Sequence, residues 1–172
     1  MTIEIVPATA SDAPALAELI NSAYRGDSSR LGWTTEADLL DGGRTDAEAL
    51  DEIIRKPGYL ILKYVDGGHL NGCMELHFEG SRLYLGLLTV RPHLQGRGIG
   101  KKLLVAAEAE AGKQNCNTIY MTVISVRTEL IDWYKRQAYA DTGERKPFLY
   151  NDPRFGIPKS KLEFAVLEKE LQ

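Results

Sequence analysis

The sequence predicts a single α/β domain spanning residues 1–172, with a mixed, mostly antiparallel sheet flanked by helices. Three observations carry that expectation. Runs at 59–65, 70–78 and 83–90 are strand-like and are separated by Asp66-Gly67-Gly68 and Glu79-Gly80-Ser81, which is hairpin chemistry, so they should form an antiparallel meander. Helical and strand periodicities alternate along the chain. A loop with three glycines at every second position then runs straight into an alanine-rich helix.

Taken in order, residues 3–8 read as a first strand bounded by Pro7 and a polar turn. Ser11 is a candidate N-cap for a helix whose Leu16, Leu19, Ile20 and Ala23 share one face. Residues 26–46 are rich in Gly, Ser, Thr and Asp, with a short helix expected over 36–40. A second amphipathic helix is expected over 46–55, stopped by Pro57-Gly58. After the meander, a long helix over 98–113 places Ile99, Leu103, Ala106, Ala107 and Ala111 at helical spacing. Residues 117–123 alternate as a strand, 129–138 form a helix, and 161–167 supply a last strand after a loop carrying Pro147, Pro153 and Pro158.

The 172 residues can bury a core without staples. A net charge of -3 gives no broad basic surface, so nucleic acid is not an expected partner. No window of 18 apolar residues occurs and the N-terminus lacks a basic-then-apolar signal, so neither a membrane nor export is expected. Cys73 and Cys116 lie far apart with no second ligand pair at metal spacing. They read as reduced, buried thiols of a cytoplasmic protein that uses no metal.

The segment Gln95-Gly96-Arg97-Gly98-Ile99-Gly100 carries the chemistry. Glycine lets the backbone turn sharply and lets a ligand approach without a Cβ in the way. The free N–H groups of a helix's first turn, with the helix dipole, favour phosphate oxygens. Arg97, Lys101 and Lys102 add positive charge. A nucleotide P-loop would need glycine at 95 and Ser or Thr at 102, which are Gln95 and Lys102. A dinucleotide fingerprint would need glycine or alanine at 101 or 103, which are Lys101 and Leu103.

Gln95, Gly98 and Gly100, preceded by Leu88-Thr89-Val90-Arg91-Pro92, resemble the signature of the GNAT superfamily of N-acetyltransferases. Residues 130–139, ending in Tyr134 and Tyr139, are similar to the family's helix-to-strand segment, with Ala138 where glycine is usual. The resemblance implies acetyl-CoA as cosubstrate, held between two splayed strands. Backbone groups of Leu88 and Val90 would pair with the pantetheine arm, and Gln95, Gly96, Arg97, Gly98, Ile99, Gly100 and Lys101 would cradle the pyrophosphate. Arg127 stands where the family often carries asparagine, and a guanidinium there is placed to reach a phosphate. Gly86 marks a bulge or a close backbone approach, and in the family a bulge nearby splays the strands.

The implied reaction is direct acetyl transfer to a primary amine of a small molecule or peptide. A backbone N–H at the end of the third meander strand, that of Val90, would polarise the thioester carbonyl. Tyr134 would protonate the departing sulfur. Tyr84 occupies the place of the glutamate of histone-modifying members. Glu75 and His77 share a strand face and are further candidates for the base. Trp33, Glu36 and Asp38 could supply an aromatic wall and carboxylates for a cationic amine. The aromatic, mixed-charge loop 145–155 suits a lid, and its basic residues could instead meet a carboxylate-bearing acceptor. A homodimer, common in the family, is compatible with the chain. The competing reading is a non-catalytic acyl-CoA sensor or scaffold, which would keep the glycine loop without needing Tyr134.

Overall fold

The computed structural model describes residues 2–148 and 155–172. Its centre is a seven-stranded sheet in the order β1-β3-β4-β5-β6-β9-β7. The strands are β1 (Ile3–Pro7), β3 (Tyr59–Asp66), β4 (His69–Glu79), β5 (Arg82–Val90), β6 (Thr118–Ile124), β7 (Ala140–Pro147) and β9 (Glu163–Glu170). β3, β4 and β5 form the antiparallel meander, turning at Gly67-Gly68 and Gly80, all with positive φ. β5 and β6 are the parallel pair, so they need a crossover, which α3 (Ile99–Lys113) supplies. β6–β9 and β9–β7 are antiparallel.

Helices cover both faces. α1 (Ala13–Tyr24) buries Leu16, Leu19, Ile20 and Ala23 as its periodicity requires, and α2 (Ala47–Arg55) buries Leu50. Both pack with Ile61 and Cys73 on one face. The first helix is entered from Thr9, whose N–H donates to Asp12 Oδ2 at 2.8 Å, two residues ahead of the expected cap at Ser11. Asp46 caps α2 by accepting the Ala49 N–H at 2.8 Å, worth about 1 kcal/mol. On the other face α3 buries Ile99, Leu103, Leu104, Ala107 and Ala111. α4 (Thr128–Arg136) joins it through Ile131 and Tyr134. Both cysteines are free and buried, and burial pushes the Cys73 thiol up to about 12.

Three details depart from the sequence reading. No helix forms at 36–40: the N–H groups of Leu39 and Leu40 both donate to the Glu36 carbonyl, closing one turn, and the chain enters β2 (Leu40–Asp41). β2 pairs with β8 (Ile157–Pro158), which draws residues 155–158 back over the end of α1. β7 was not expected as a strand. It is a polar, almost fully exposed edge, bulged between Asp141 and Arg145, and so it lacks the apolar alternation that marks a strand.

Candidate active site

The pairing of parallel β5 with β6 runs only from Arg82↔Thr118 to Tyr84↔Tyr120 among the described residues, and beyond it the strands part. The cause lies on the opposite edge of β5. Between the pairs Glu75↔Gly86 and Cys73↔Thr89, one residue of β4 faces two of β5, Leu87 and Leu88. Leu87 takes a left-handed φ of 50° there, a strain of roughly 1–3 kcal/mol. Such a bulge bends its strand and re-aims the backbone. The Leu88 carbonyl accepts the Tyr24 hydroxyl, and the Val90 carbonyl accepts Gln95 Nε2 at 3.1 Å. Both carbonyls therefore face away from β4, across the gap. The bulge adjoins Gly86, whose own reason is room: a Cβ there would sit 2.9 Å from the Tyr84 ring and 3.1 Å from Glu75 Oε1.

At the far end of the gap the chain turns through Gly96 and Gly98, at φ 81° and 84°, into α3. No side chain caps the start of that helix, and a Cβ on either glycine would meet only open space. The first-turn amides are thus presented outward beside the exposed Arg97 and Lys101, a setting for an anion. Gly100 differs, since a Cβ there would lie 3.2 Å from the Trp133 ring. The Gln95 side chain is fully occupied: it accepts the Trp33 N–H at 2.8 Å and donates to Thr34 Oγ1 at 2.8 Å and to Val90. It ties the 32–34 segment to the loop. A cavity of about 240 Å³ runs from this loop past Leu88 and Val90 to Tyr134.

A second cavity of about 450 Å³ occupies the gap itself and meets the first at Tyr24, Leu88, Leu130 and Tyr134. Its floor includes Tyr84 and Thr122, and Phe148, Phe155 and Phe164 form an aromatic side. Its polar wall is built on Glu36. One oxygen of Glu36 takes Arg25 Nε at 3.1 Å and the other Arg127 Nη1 at 3.4 Å, all three side chains being less than a tenth exposed. Arg25 also donates to the carbonyls of Gly43 and Phe155, and Arg127 to that of Thr34. Arg44 lines the same cavity, and among the described residues no carboxylate lies within ion-pair distance of its guanidinium.

Burial raises the phenols here: Tyr24 is pushed up to about 12, and Tyr134 well above its ordinary value, chiefly by desolvation. Both are proton carriers at neutral pH. Desolvation also raises the Glu75 carboxyl, against the opposing fields of Arg44, His77 and Lys56.

The expected site residues separate into groups. Leu88, Val90, Gln95, Gly96, Gly98, Ile99, Gly100, Lys101 and Tyr134 come together along the smaller cavity, with Trp33 at its mouth against Trp133 at 6.2 Å. Arg127 faces the larger cavity, held by Glu36 and away from the glycine loop. Tyr84 lines that cavity, and Glu75, not itself among the lining residues, lies beside Gly86, which is. His77 turns elsewhere, stacked on Tyr59 at 3.9 Å and paired with Glu79 at 2.9 Å. Asp38 is exposed and bridged to Arg30 at 2.8 Å. Residues 149–154 of the expected lid lie outside the described residues. The sequence places Tyr24 and Arg25 in a stretch, 24–38, that the family resemblance sets beside the acceptor, but it assigns neither of them a role and does not single out Arg44. Tyr24 and Arg25 follow directly on the Ala23 end of the α1 stripe, the one local signal available.

The chain matches the family model described as the acetyltransferase (GNAT) family over residues 14–139. No curated protein matches it. Among solved structures, the ribosomal-protein-S18-alanine N-acetyltransferase of Escherichia coli superposes with a TM-score of 0.74 at 13% identity, over 99% of this chain and 95% of that one. YncA of Salmonella typhimurium, solved with its cofactor acetyl-CoA, gives 0.71 at 21% identity over 100% and 95%. The PaiA N-acetyltransferase of Thermoplasma acidophilum, in complex with coenzyme A, gives 0.69 at 20% identity over 99% of each chain.

Proposed function

Because the chain belongs to the acetyltransferase (GNAT) family, we propose that it binds acetyl-CoA in the smaller cavity and moves the acetyl group directly to a primary amine held in the larger one. The carrying observation is the meeting of the two cavities at the Leu88 bulge, where the edge of β5 is stripped of its parallel partner. The residues present suit the cosubstrate. Uncapped amides from Gly96 to Lys101 fit a pyrophosphate, and the two positive-φ glycines leave space for its close approach. The Leu88–Val90 edge offers backbone groups to an amide-bearing arm, as an added strand would use them.

Acetyl-CoA supplies an acetyl group already activated as a thioester. The chain's own part is electrostatic and positional. A backbone N–H on the Leu88–Val90 edge polarises the acyl carbonyl, a contribution of about 3 kcal/mol for such donors. Tyr134 Oη, at the junction of both cavities, holds the proton that a leaving sulfur requires, and burial keeps that proton in place. Glu75, whose carboxyl is raised toward neutrality, takes the proton lost by the amine, with water crossing from the cavity floor beside Gly86. The carboxylate of Glu36 takes no such part, since both its oxygens are held by arginines.

Calorimetry with acetyl-CoA and thiol release across a panel of amines test the reading. Binding together with amine-dependent thiol release is the expected result. Replacing Tyr134 by Phe should lower kcat about 100-fold with little change in acetyl-CoA affinity. Binding without release on any amine would leave a sensor, and an unchanged rate in Y134F would remove the acid role from Tyr134.

A further inference from the structure

Among the described residues, the larger cavity is lined by more cationic than anionic side chains. Three guanidiniums of those residues line it, those of Arg25, Arg44 and Arg127, against one lining carboxylate, that of Glu36, and the Glu75 carboxyl beside Gly86. Arg25 and Arg127 are absorbed by Glu36 and by backbone carbonyls, which makes them part of the wall. Arg44 is different. Its backbone N–H is anchored on Asn21 Oδ1 at 2.7 Å, so the residue is fixed in place. Its charge is felt by Tyr24 and Tyr84, which line the cavity, and by Glu75, which lies beside the lining Gly86. A half-buried guanidinium with no ion-pair partner among the described residues is a poor arrangement unless a ligand completes it. Guanidinium presents a planar fork that matches a carboxylate.

The rest of the lining sets the remainder of the ligand. Phe148, Phe155 and Phe164 offer an apolar, aromatic side, and a volume of about 450 Å³ suits a small molecule. The junction at Leu88 and Tyr134 fixes where the reacting amine must point. A polycationic amine would meet like charge at Arg44 and find Glu36 already taken and Asp38 outside the cavity, bridged to Arg30.

We infer that the acceptor is an amino-acid-like amine of small size, whose carboxylate is bound by Arg44, whose amine faces the Leu88–Tyr134 junction, and whose apolar group lies against the phenylalanines. This inference rests on the larger cavity being the acceptor site. Arg44 acts as a specificity-determining residue.

The test compares three matched series with acetyl-CoA and the wild-type chain: free apolar and aromatic amino acids, the same amino acids as carboxamides, and the corresponding amines lacking the carboxyl carbon. Spermidine serves as the polycation. Free amino acids should show kcat/KM about 10–100-fold above their carboxamides, the range of a charge-assisted hydrogen-bonding group, with spermidine lowest. In Arg44→Gln that ratio should collapse toward one while acetyl-CoA affinity and the melting temperature hold, and Arg44→Lys should restore part of it. Equal or better turnover of the carboxamides or spermidine overturns the inference, as does a ratio unchanged in R44Q. Either result would leave the transferase reading standing. Absence of transfer to every amine would instead sink that reading, and this inference with it.

Discussion

Glu75 shows how one carboxyl ties catalysis to stability. It sits half-buried on β4 beside Gly86, and desolvation holds its pKa above the ordinary glutamate value in spite of Arg44, His77 and Lys56. A base must be ionised to act, so the acidic limb of kcat/KM should lie above the usual carboxylate range, with rate lost as pH falls through it. Linkage runs in the opposite direction. A carboxyl whose folded pKa is raised holds its proton more tightly when folded. Its stabilising effect is therefore full below the unfolded value and is lost as pH rises through the folded one. Glu75→Gln should then do two things at pH 8: cut kcat/KM about 100-fold and raise the melting temperature. A pH–rate profile and thermal unfolding of the two proteins check this. An intact acidic limb in E75Q would hand the base role to another group, and an unchanged or lowered melting temperature would contradict the burial argument.

At the scale of elements, the glycine turn into α3 separates backbone strain from ligand contact. Gly98 has φ 84° and Gly67, in the β3–β4 turn, has φ 58°, and a Cβ on either meets nothing within 4 Å. Alanine at a left-handed position costs roughly 1–2 kcal/mol, so G98A and G67A should lose similar stability in urea unfolding. Only G98A should weaken acetyl-CoA, by about tenfold or more, equivalent to 1.4 kcal/mol, as read by calorimetry. Equal affinity in both variants would place the pyrophosphate elsewhere. The same turn shows why parts of the molecule were legible in sequence. The loop, α3 and the β3–β5 meander are local in the chain, with their periods and glycine breaks side by side. β7 was hidden because Ala140–Pro147 is an exposed, polar edge with no apolar face to alternate. The β2–β8 pair joins residues more than a hundred apart. The short helix expected at 36–40 gave way because Glu36 is drawn inward by two arginines, a tertiary demand that local propensity does not register. Arg44 likewise looked like one cation in a polar stretch and acquires meaning only when the fold turns it toward the gap.

Across the whole molecule, Glu36 fastens segments that are distant in sequence. Arg25 brings the end of α1, together with Gly43 and Phe155, and Arg127 brings the entry to α4 and the Thr34 carbonyl. The two sides of the splayed sheet, β1-β3-β4-β5 and β6-β9-β7, pair through β5 and β6 over only three residue pairs among the described residues, so this buried cluster braces the gap that the ligands must enter. Among the described residues, one carboxylate is shared by two nearly fully buried guanidiniums. Removing it takes away the carboxylate that Arg25 and Arg127 share, and breaking such a buried cluster costs about 3–5 kcal/mol. Glu36→Gln keeps the shape and removes the charge, so it should lower unfolding stability by about that amount and the melting temperature by roughly 10 °C for a chain of this size. If the brace is electrostatic, Glu36→Asp, which keeps the charge on a shorter arm, should recover part of the loss. Acetyl-CoA affinity should change far less than stability, because the glycine turn lies outside the cluster. A Glu36→Gln chain within about 1 kcal/mol of wild type would show that the arginines find water or other partners, and that packing alone holds the gap open.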